Sequence, residues 1–457
     1  MKKYRFLWVV LALGLLIRMF KVHLVYCIAP DGIAYINAAK DLISGKGFNS
    51  TWPPLYPFFL SIFWNLISNP ELSGQLVSVL FGVLTIGIVY IMFKNIFNEQ
   101  VGIITSLFAA FHPYLVRYSA ETLADSLFTF LITTVVFLGW LSISKKKIYH
   151  VVLTGFFAAL AYLAKPEGVV LLVVISIWWL FEPKRKWITK ISRMLFAWFI
   201  FLIICFPYLY SIQRDTGKWM ISQKQSIVFS IALKNEGYTE EFLDISPAEY
   251  LKTNPKIFFK KIGSGFLKLL GRFPDAYNPF LFLLFIFGLI NKYKDKQFLY
   301  FIASFLILFF MGYAMFHPGR RYLVGWVPVT LFVAGFGVEN LNDWLKKINV
   351  LKTININYTG LIVGIIILAM LPKTFEYIRP EAEQWKEAGF WIKRHFTGTP
   401  KVMCDSARVI FYSEGEYVPL DESKFNAVDY IVTEKEISFL KKAFSLSTGL
   451  NIYYGEK

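Results

Sequence analysis

The chain has 457 residues, 56% of them hydrophobic and 18% aromatic but only 17% charged, with a mean hydropathy of +0.50. That composition excludes an ordinary soluble domain and points to a chain that crosses a membrane repeatedly. The net charge of +17 does not call for nucleic acid, because a Lys/Arg excess in cytoplasmic loops accounts for it. Three cysteines, Cys27, Cys205 and Cys404, form neither a disulfide framework nor a zinc-ligand spacing.

In chain order, residues 1–5 carry three cations and are expected in the cytoplasm. Residues 6–20 read as a first, retained span, with no small-residue cleavage site after it. The loop that follows is expected outside. Residues 54–67 are apolar but carry prolines, many aromatics and flanking asparagines, which reads as an interfacial helix. Further spans are expected over 72–93, 101–116, 122–141, 151–164, 168–181 and 191–210. The pair around Lys165-Pro166-Glu167 is short enough to be one re-entrant hairpin instead, which would lower the count to nine.

A long outer loop follows. In it, Ser246-Pro247-Ala248-Glu249 reads as a capping box with proline at the first helical position. Phe258, Ile262, Phe266 and Leu269 then share a face of an amphipathic helix flanked by Lys260, Lys261 and Lys268. The last spans are expected over 278–290, 298–316, 322–338 and 356–371. The total is eleven, with the N-terminus cytoplasmic and the C-terminus outside. Lysines and arginines crowd the assigned inner segments, whereas the short outer turns carry only Arg117, Lys165, Arg320 and Arg321.

From Pro380 the composition turns soluble. Trp385, Ala388, Ile392 and Phe396 fit one helix face, and strands are expected over 401–404, 409–412, 417–420 and 429–433. The fold class is therefore a polytopic α-helical membrane protein. Residues 1–373 form the membrane domain, with outer loops 21–71 and 211–275, and residues 374–457 form a small extracytoplasmic α/β lobe. No GxGxxG or GxxxxGK[ST] fingerprint is present.

Chemistry is expected at the outer edge. Asp31 follows the first span, where an acid is costly unless solvated, paired or used. Tyr35 lies one helical turn on, and Trp52, Pro53, Pro54, Tyr56 and Pro57 make a stiff aromatic loop suited to walling a sugar or a lipid. Glu121 and Asp125, four apart, open the fourth span beside Arg117, and could equally be helix-terminal charges paired with it. The four outer cations, Arg117, Lys165, Arg320 and Arg321, suit phosphate or pairing with nearby carboxylates. His317 adjoins the last two.

The stretch DGIAYINAAKDLISGKGFNSTWPPLYP from Asp31 to Pro57 resembles the first outer loop of the C-type (GT-C) glycosyltransferases. It is most similar to the bacterial branch of the dolichyl-phosphate-mannose–protein mannosyltransferases, related to the lipid A aminoarabinose transferases. Asp125 before Leu127-Phe128, the Lys-Pro-Glu-Gly turn at 165–168 and Arg321-Tyr322 before Pro328 resemble further elements of that family. Gly32 and Ala34 depart from the second acid or arginine often found near the aspartate, which leaves the substrate class open.

The resemblance implies a cell-membrane glycosyltransferase, inverting, that takes a sugar from a polyprenyl-phosphate donor and hands it to a lipid, glycan or protein acceptor. In that reading Asp31, Asp125 and Glu121 are catalytic candidates. Tyr35, Trp52, Tyr56, Arg117, Lys165, His317, Arg320 and Arg321 are substrate-binding candidates. A divalent cation, Mg²⁺ or Mn²⁺, with Asp31 as ligand is compatible with the acids, but no spacing requires it. The rival readings are a transporter or flippase of lipid-linked sugars, which predicts charges near mid-membrane and internal repeats, and a scaffold whose outer lobe binds a partner.

Overall fold

A computed structural model describes residues 5–183, 185–223, 251–252, 254–290, 296–316, 318–347, 358–419, 421–437 and 440–455. The body is helical: α1 (Arg5–Val22), α2 (Pro30–Ile43), α3 (Leu55–Ile67), α4 (Pro70–Ile96), α5 (Glu99–Phe111), α6 (Pro113–Ser119), α7 (Asp125–Ser144), α8 (Ile148–Ala164), α9 (Val169–Leu180) and α10 (Trp187–Thr216). Further along the chain come α11 (Pro255–Tyr277), α12 (Pro279–Leu289), α13 (Lys296–Phe316), α14 (Arg320–Val324), α15 (Val327–Leu345) and α16 (Tyr358–Thr374). Proline repeatedly starts a helix where its missing N–H costs nothing, at Pro30, Pro70, Pro113, Pro255 and Pro279. The side chains of Asn69 and Asn98 cap α4 and α5 by accepting from Leu72 N and Val101 N.

Four helices among the described residues are long and apolar enough to cross a membrane by themselves: Pro70–Ile96, Asp125–Ser144, Trp187–Thr216 and Lys296–Met315. The other apolar helices are shorter, and the expected count of eleven spans is not established. Two of the expected spans are interrupted. Residues 101–116 divide into α5 and α6 at His112-Pro113, and residues 322–338 divide into α14 and α15 just before Pro328. In both places proline removes a helical donor. The first break exposes carbonyls that Arg18 of α1 satisfies, donating to Ala109 O at 3.1 Å and Ala110 O at 3.0 Å. The buried cation thus caps the open end of α5, where a helix dipole is negative.

On α11, Phe258 and Leu269 of the expected face are buried and Ile262 and Phe266 partly so, Lys261 is buried as well, and Gly265 abuts α13 at Ala314. α12 and α15 cross closely at two glycines. A Cβ on Gly288 would stand 1.8 Å from Val333 O, and one on Gly337 would stand 1.9 Å from Leu284 O.

The C-terminal lobe packs α17 (Glu383–His395) and α18 (Ala407–Ser413) with a five-stranded sheet of β1 (Lys401–Cys404), β2 (Glu416–Val418), β3 (Tyr430–Thr433), β4 (Lys442–Ser445) and β5 (Asn451–Tyr454), in the order β2-β1-β3-β5-β4. β1 is parallel to β2 and β3, while β5 is antiparallel to β3 and β4. Ala388 and Ile392 of α17 are fully buried in the lobe's core beside Val402 and Val432. Residues 409–412, expected as a strand, are helical instead. Their β-branched and aromatic composition is overridden by packing, because one helical turn puts Val409 in the lobe's core and Tyr412 against the first loop. The capping box at 246–249 lies outside the described residues.

Candidate active site

Four distant segments meet at one end of the helical body. α2 presents Asp31 in its first turn, and α7 starts with Asp125, both positions where a helix dipole favours a carboxylate. Lys165 ends α8, held extended by the Pro166 turn, and Arg321 lies in the first turn of α14. Gly32 lets α2 approach closely, since a Cβ there would stand 2.8 Å from Thr122 O, in the loop that leads to Asp125. The small residue next to Asp31 therefore brings the two acids together.

Arg321 joins them. Its Nε and Nη2 donate to the two oxygens of Asp125 at 2.9 and 2.6 Å, and its Nη1 donates to Asp31 Oδ2 at 2.7 Å. Lys165 Nζ donates to Asp125 Oδ1 at 3.0 Å. Asp125 is thus clamped by a bidentate arginine and a lysine, the strongest form of such pairing. Burial works against the charge of Arg321, but Asp125 and Asp31 outweigh it and hold the guanidinium well above its usual range. Side-chain exposure falls from 43% at Asp31 to 29% at Arg321, 12% at Lys165 and 7% at Asp125. Asp31 is the more accessible of the two carboxylates. A narrow crevice beside the cluster is lined in part by Tyr118, Phe128, Tyr313 and Tyr322.

The remaining candidates divide between support and other clusters. The buried ring of Tyr35 stands edge-on to Trp52 at 4.8 Å and to Tyr56 at 5.0 Å between centroids. Tyr56 is fully buried and donates to Gly74 O at 2.8 Å, so it fastens the aromatic loop to α4. Trp52 is half-buried. Glu121 is buried with an arginine on each oxygen: Arg117 Nε at 3.1 Å on Oε1, and Arg379 on Oε2. Arg320 points away from Arg321 and meets Asp275 at 2.6 Å, with its guanidinium 4.4 Å from the centre of the Tyr114 ring. Burial opposes the Asp275 charge, but hydrogen bonds from Arg320 and Tyr114 outweigh it and hold the carboxyl below its usual range. His317 lies outside the described residues.

Asp275 and Arg379 were not singled out from sequence. Each sits in a segment read as loop or soluble lobe, and only the partner it meets gives it away. Among the described residues no group of three His, Cys, Asp or Glu side chains is gathered to hold a metal ion. Asp31 and Asp125 do not fit a divalent cation as they stand, because the Arg321 guanidinium fills the place between them.

The fold has solved counterparts. ArnT from Cupriavidus metallidurans in the apo state is similar with a TM-score of 0.65 at 13% identity, covering 100% of this chain and 98% of that one. The same protein bound to undecaprenyl phosphate gives 0.59 at 13% identity, covering 92% and 86%. The archaeal oligosaccharyltransferase AglB from Archaeoglobus fulgidus, in complex with an inhibitory peptide and a dolichol-phosphate, gives 0.58 at 13%, covering 94% and 69%. No curated protein matches the sequence. Residues 51–210 match the family described as dolichyl-phosphate-mannose-protein mannosyltransferase. In that stretch the sequence of this multi-pass membrane chain resembles the mannosyltransferase family, and its fold resembles those of ArnT and AglB.

Proposed function

We propose that the protein is a membrane glycosyltransferase that takes a sugar from a polyprenyl-phosphate donor and transfers it to an acceptor at the extracytoplasmic face. The observation that carries this reading is the junction of Asp31, Asp125, Lys165 and Arg321, drawn from four separate segments. A transporter would need its charges along a path through the membrane, whereas these gather at one end of the helices.

The chemistry assigns one task to each group. The Asp31 carboxylate takes the proton of the acceptor hydroxyl or amine, whose freed electron pair forms a bond to the anomeric carbon. The bond from that carbon to the donor phosphate oxygen breaks, and its electron pair leaves with the polyprenyl phosphate. Arg321 and Lys165 supply the positive charge that holds the leaving phosphate. Attack from the face opposite the phosphate inverts the sugar carbon, so a β-linked donor gives an α-linked product. Asp125, clamped by both cations, orients them rather than moving protons. No step needs a bound metal.

The topology of this reading has residues 1–373 as the catalytic membrane domain and 374–457 as the extracytoplasmic lobe. About eleven spans, counting the short pair as two, put the N-terminus in the cytoplasm and the site outside the cell membrane. The excess of lysines at the far ends of the helices supports that orientation. The test is transfer by purified protein from undecaprenyl phosphate carrying radiolabelled mannose or 4-amino-4-deoxyarabinose, wild type against Asp31→Asn. Full transfer by the variant would remove Asp31 from the mechanism, and phospholipid-vesicle uptake of the donor without transfer would favour the transporter.

A further inference from the structure

The turn that carries Asp31 packs on the membrane body, and it is also hydrogen-bonded to the C-terminal lobe. Residues 23–29 connect α1 to α2 through a turn and a single β-bridge. Val25 pairs in parallel with Ile378, with Tyr26 N donating to Ile378 O at 3.0 Å and Ile378 N to Leu24 O at 2.9 Å. Arg379 Nη1 donates to Cys27 O at 3.3 Å. Arg408 Nε donates to Ile28 O at 3.0 Å. Ile28 N donates to the Tyr412 hydroxyl at 2.9 Å, and that hydroxyl faces the Glu71 carboxylate at 3.1 and 3.2 Å, at the start of α4. Both backbone polar groups of Ile28 are thus held by α18, three residues before Asp31 and one before the N-cap Ala29.

The linkage is specific. Arg379 has φ 55°, a left-handed conformation that side chains other than glycine rarely adopt. That bend lets one guanidinium reach both Cys27 O and the buried Glu121. Tyr412 is buried, with its ring against Phe390 and its Cβ against Gly389 of α17. The helical turn at 407–413 is what brings Arg408 and Tyr412, four apart, onto the same backbone unit.

We infer that Tyr412 and Arg408 are positioning residues for the reaction: the soluble lobe sets the place of the Asp31 carboxylate by fixing the entry to α2. The inference rests on Asp31 acting as the base. A displacement of about 1 Å at a reacting group can cost a hundredfold in rate, so a hydroxyl that touches no substrate can still govern turnover.

The test uses the full chain in detergent micelles with Tyr412→Phe, which keeps the ring and removes the hydroxyl. Amide hydrogen exchange over residues 28–33 is expected to accelerate about tenfold or more, while exchange in α10 and the thermal midpoint stay unchanged. With the undecaprenyl-phosphate sugar that the wild type uses, kcat is expected to fall about tenfold with KM for the donor unchanged. Arg408→Lys, which keeps the charge and one donor, should give a smaller change in both readouts, and it serves in place of Tyr412→Phe if that chain does not accumulate. Unchanged exchange in both variants overturns the inference, and so does faster exchange with full kcat. Asp31→Asn separates the failures: an active Asp31→Asn chain removes the base, whereas an inactive one beside a fully active Tyr412→Phe chain removes only the lobe's role.

Discussion

Two ion clusters stand at the same end of the helical body, only a loop apart in sequence, and they differ in what each leaves open. Around Glu121, both carboxylate oxygens meet an arginine, and the acid is 1% exposed. Around Asp31 and Asp125, one arginine is shared by two acids, and the outer acid keeps 43% of its side-chain surface. The first cluster seals one carboxylate between two arginines, so that acid has nothing to offer a ligand. The second shares Arg321 between two acids, so in the proposed reaction an arriving phosphate would compete for the guanidinium and leave Asp31 free to accept a proton. The difference between a strut and a site here lies in accessibility and sharing, not in residue type.

The comparison is broken most directly at Asp31. Asp31→Asn is expected to lower transfer by about 10²- to 10⁴-fold, the ordinary worth of a general base, with little change in thermal midpoint because the residue is half-exposed; equal loss of stability and activity would make it a strut after all. Glu121→Gln should do the reverse. It strands two arginines of a buried cluster, so stability is expected to drop by about 3 kcal/mol, read as a lower unfolding midpoint in detergent, while turnover per folded molecule holds. Arg321→Gln comes next. Loss of one charge-assisted contact, about 1.5–3 kcal/mol, should weaken binding of undecaprenyl phosphate about 10- to 100-fold by titration calorimetry, and unaltered affinity would hand the phosphate to Lys165 alone.

The smallest effect lies at Asp275, beside Arg320. Its carboxyl is held below the usual range in the folded chain, so its contribution to stability is complete above the unfolded value near 4 and fades as pH falls through the lower folded value. The thermal midpoint of wild type should exceed that of Asp275→Asn by a constant margin above pH 5, and the margin should close only in stronger acid. A margin that grew on acidification would reverse the assignment.

Much of this was legible beforehand because topology does the sorting. Asp31, Asp125, Lys165 and Arg321 all fall at ends of apolar runs on one side of the sequence's charge pattern, which is enough to group them. The sequence cannot separate Arg320 from Arg321. They are neighbours, and a helix sends neighbours in different directions, so one meets Asp275 and the other Asp125. Glu121 and Asp125 share a spacing but not a fate, because α7 begins only at Asp125 and leaves Glu121 in the preceding turn. The helix at 407–413 was hidden for a different reason. Val-Ile-Phe-Tyr favours a strand locally, and only docking on the first loop makes a helical turn the better arrangement.

The crossing of α12 and α15 has a consequence for where variation is tolerated. At Gly288 and Gly337 the two backbones touch with no room for even a methyl group. Because α14 feeds directly into α15, a wedge inserted there would tilt the strut that carries Arg321. A single extra carbon, many residues from Arg321, should therefore register as a detuned grip on phosphate, and random mutagenesis screened for weakened donor use should return alanine at either glycine.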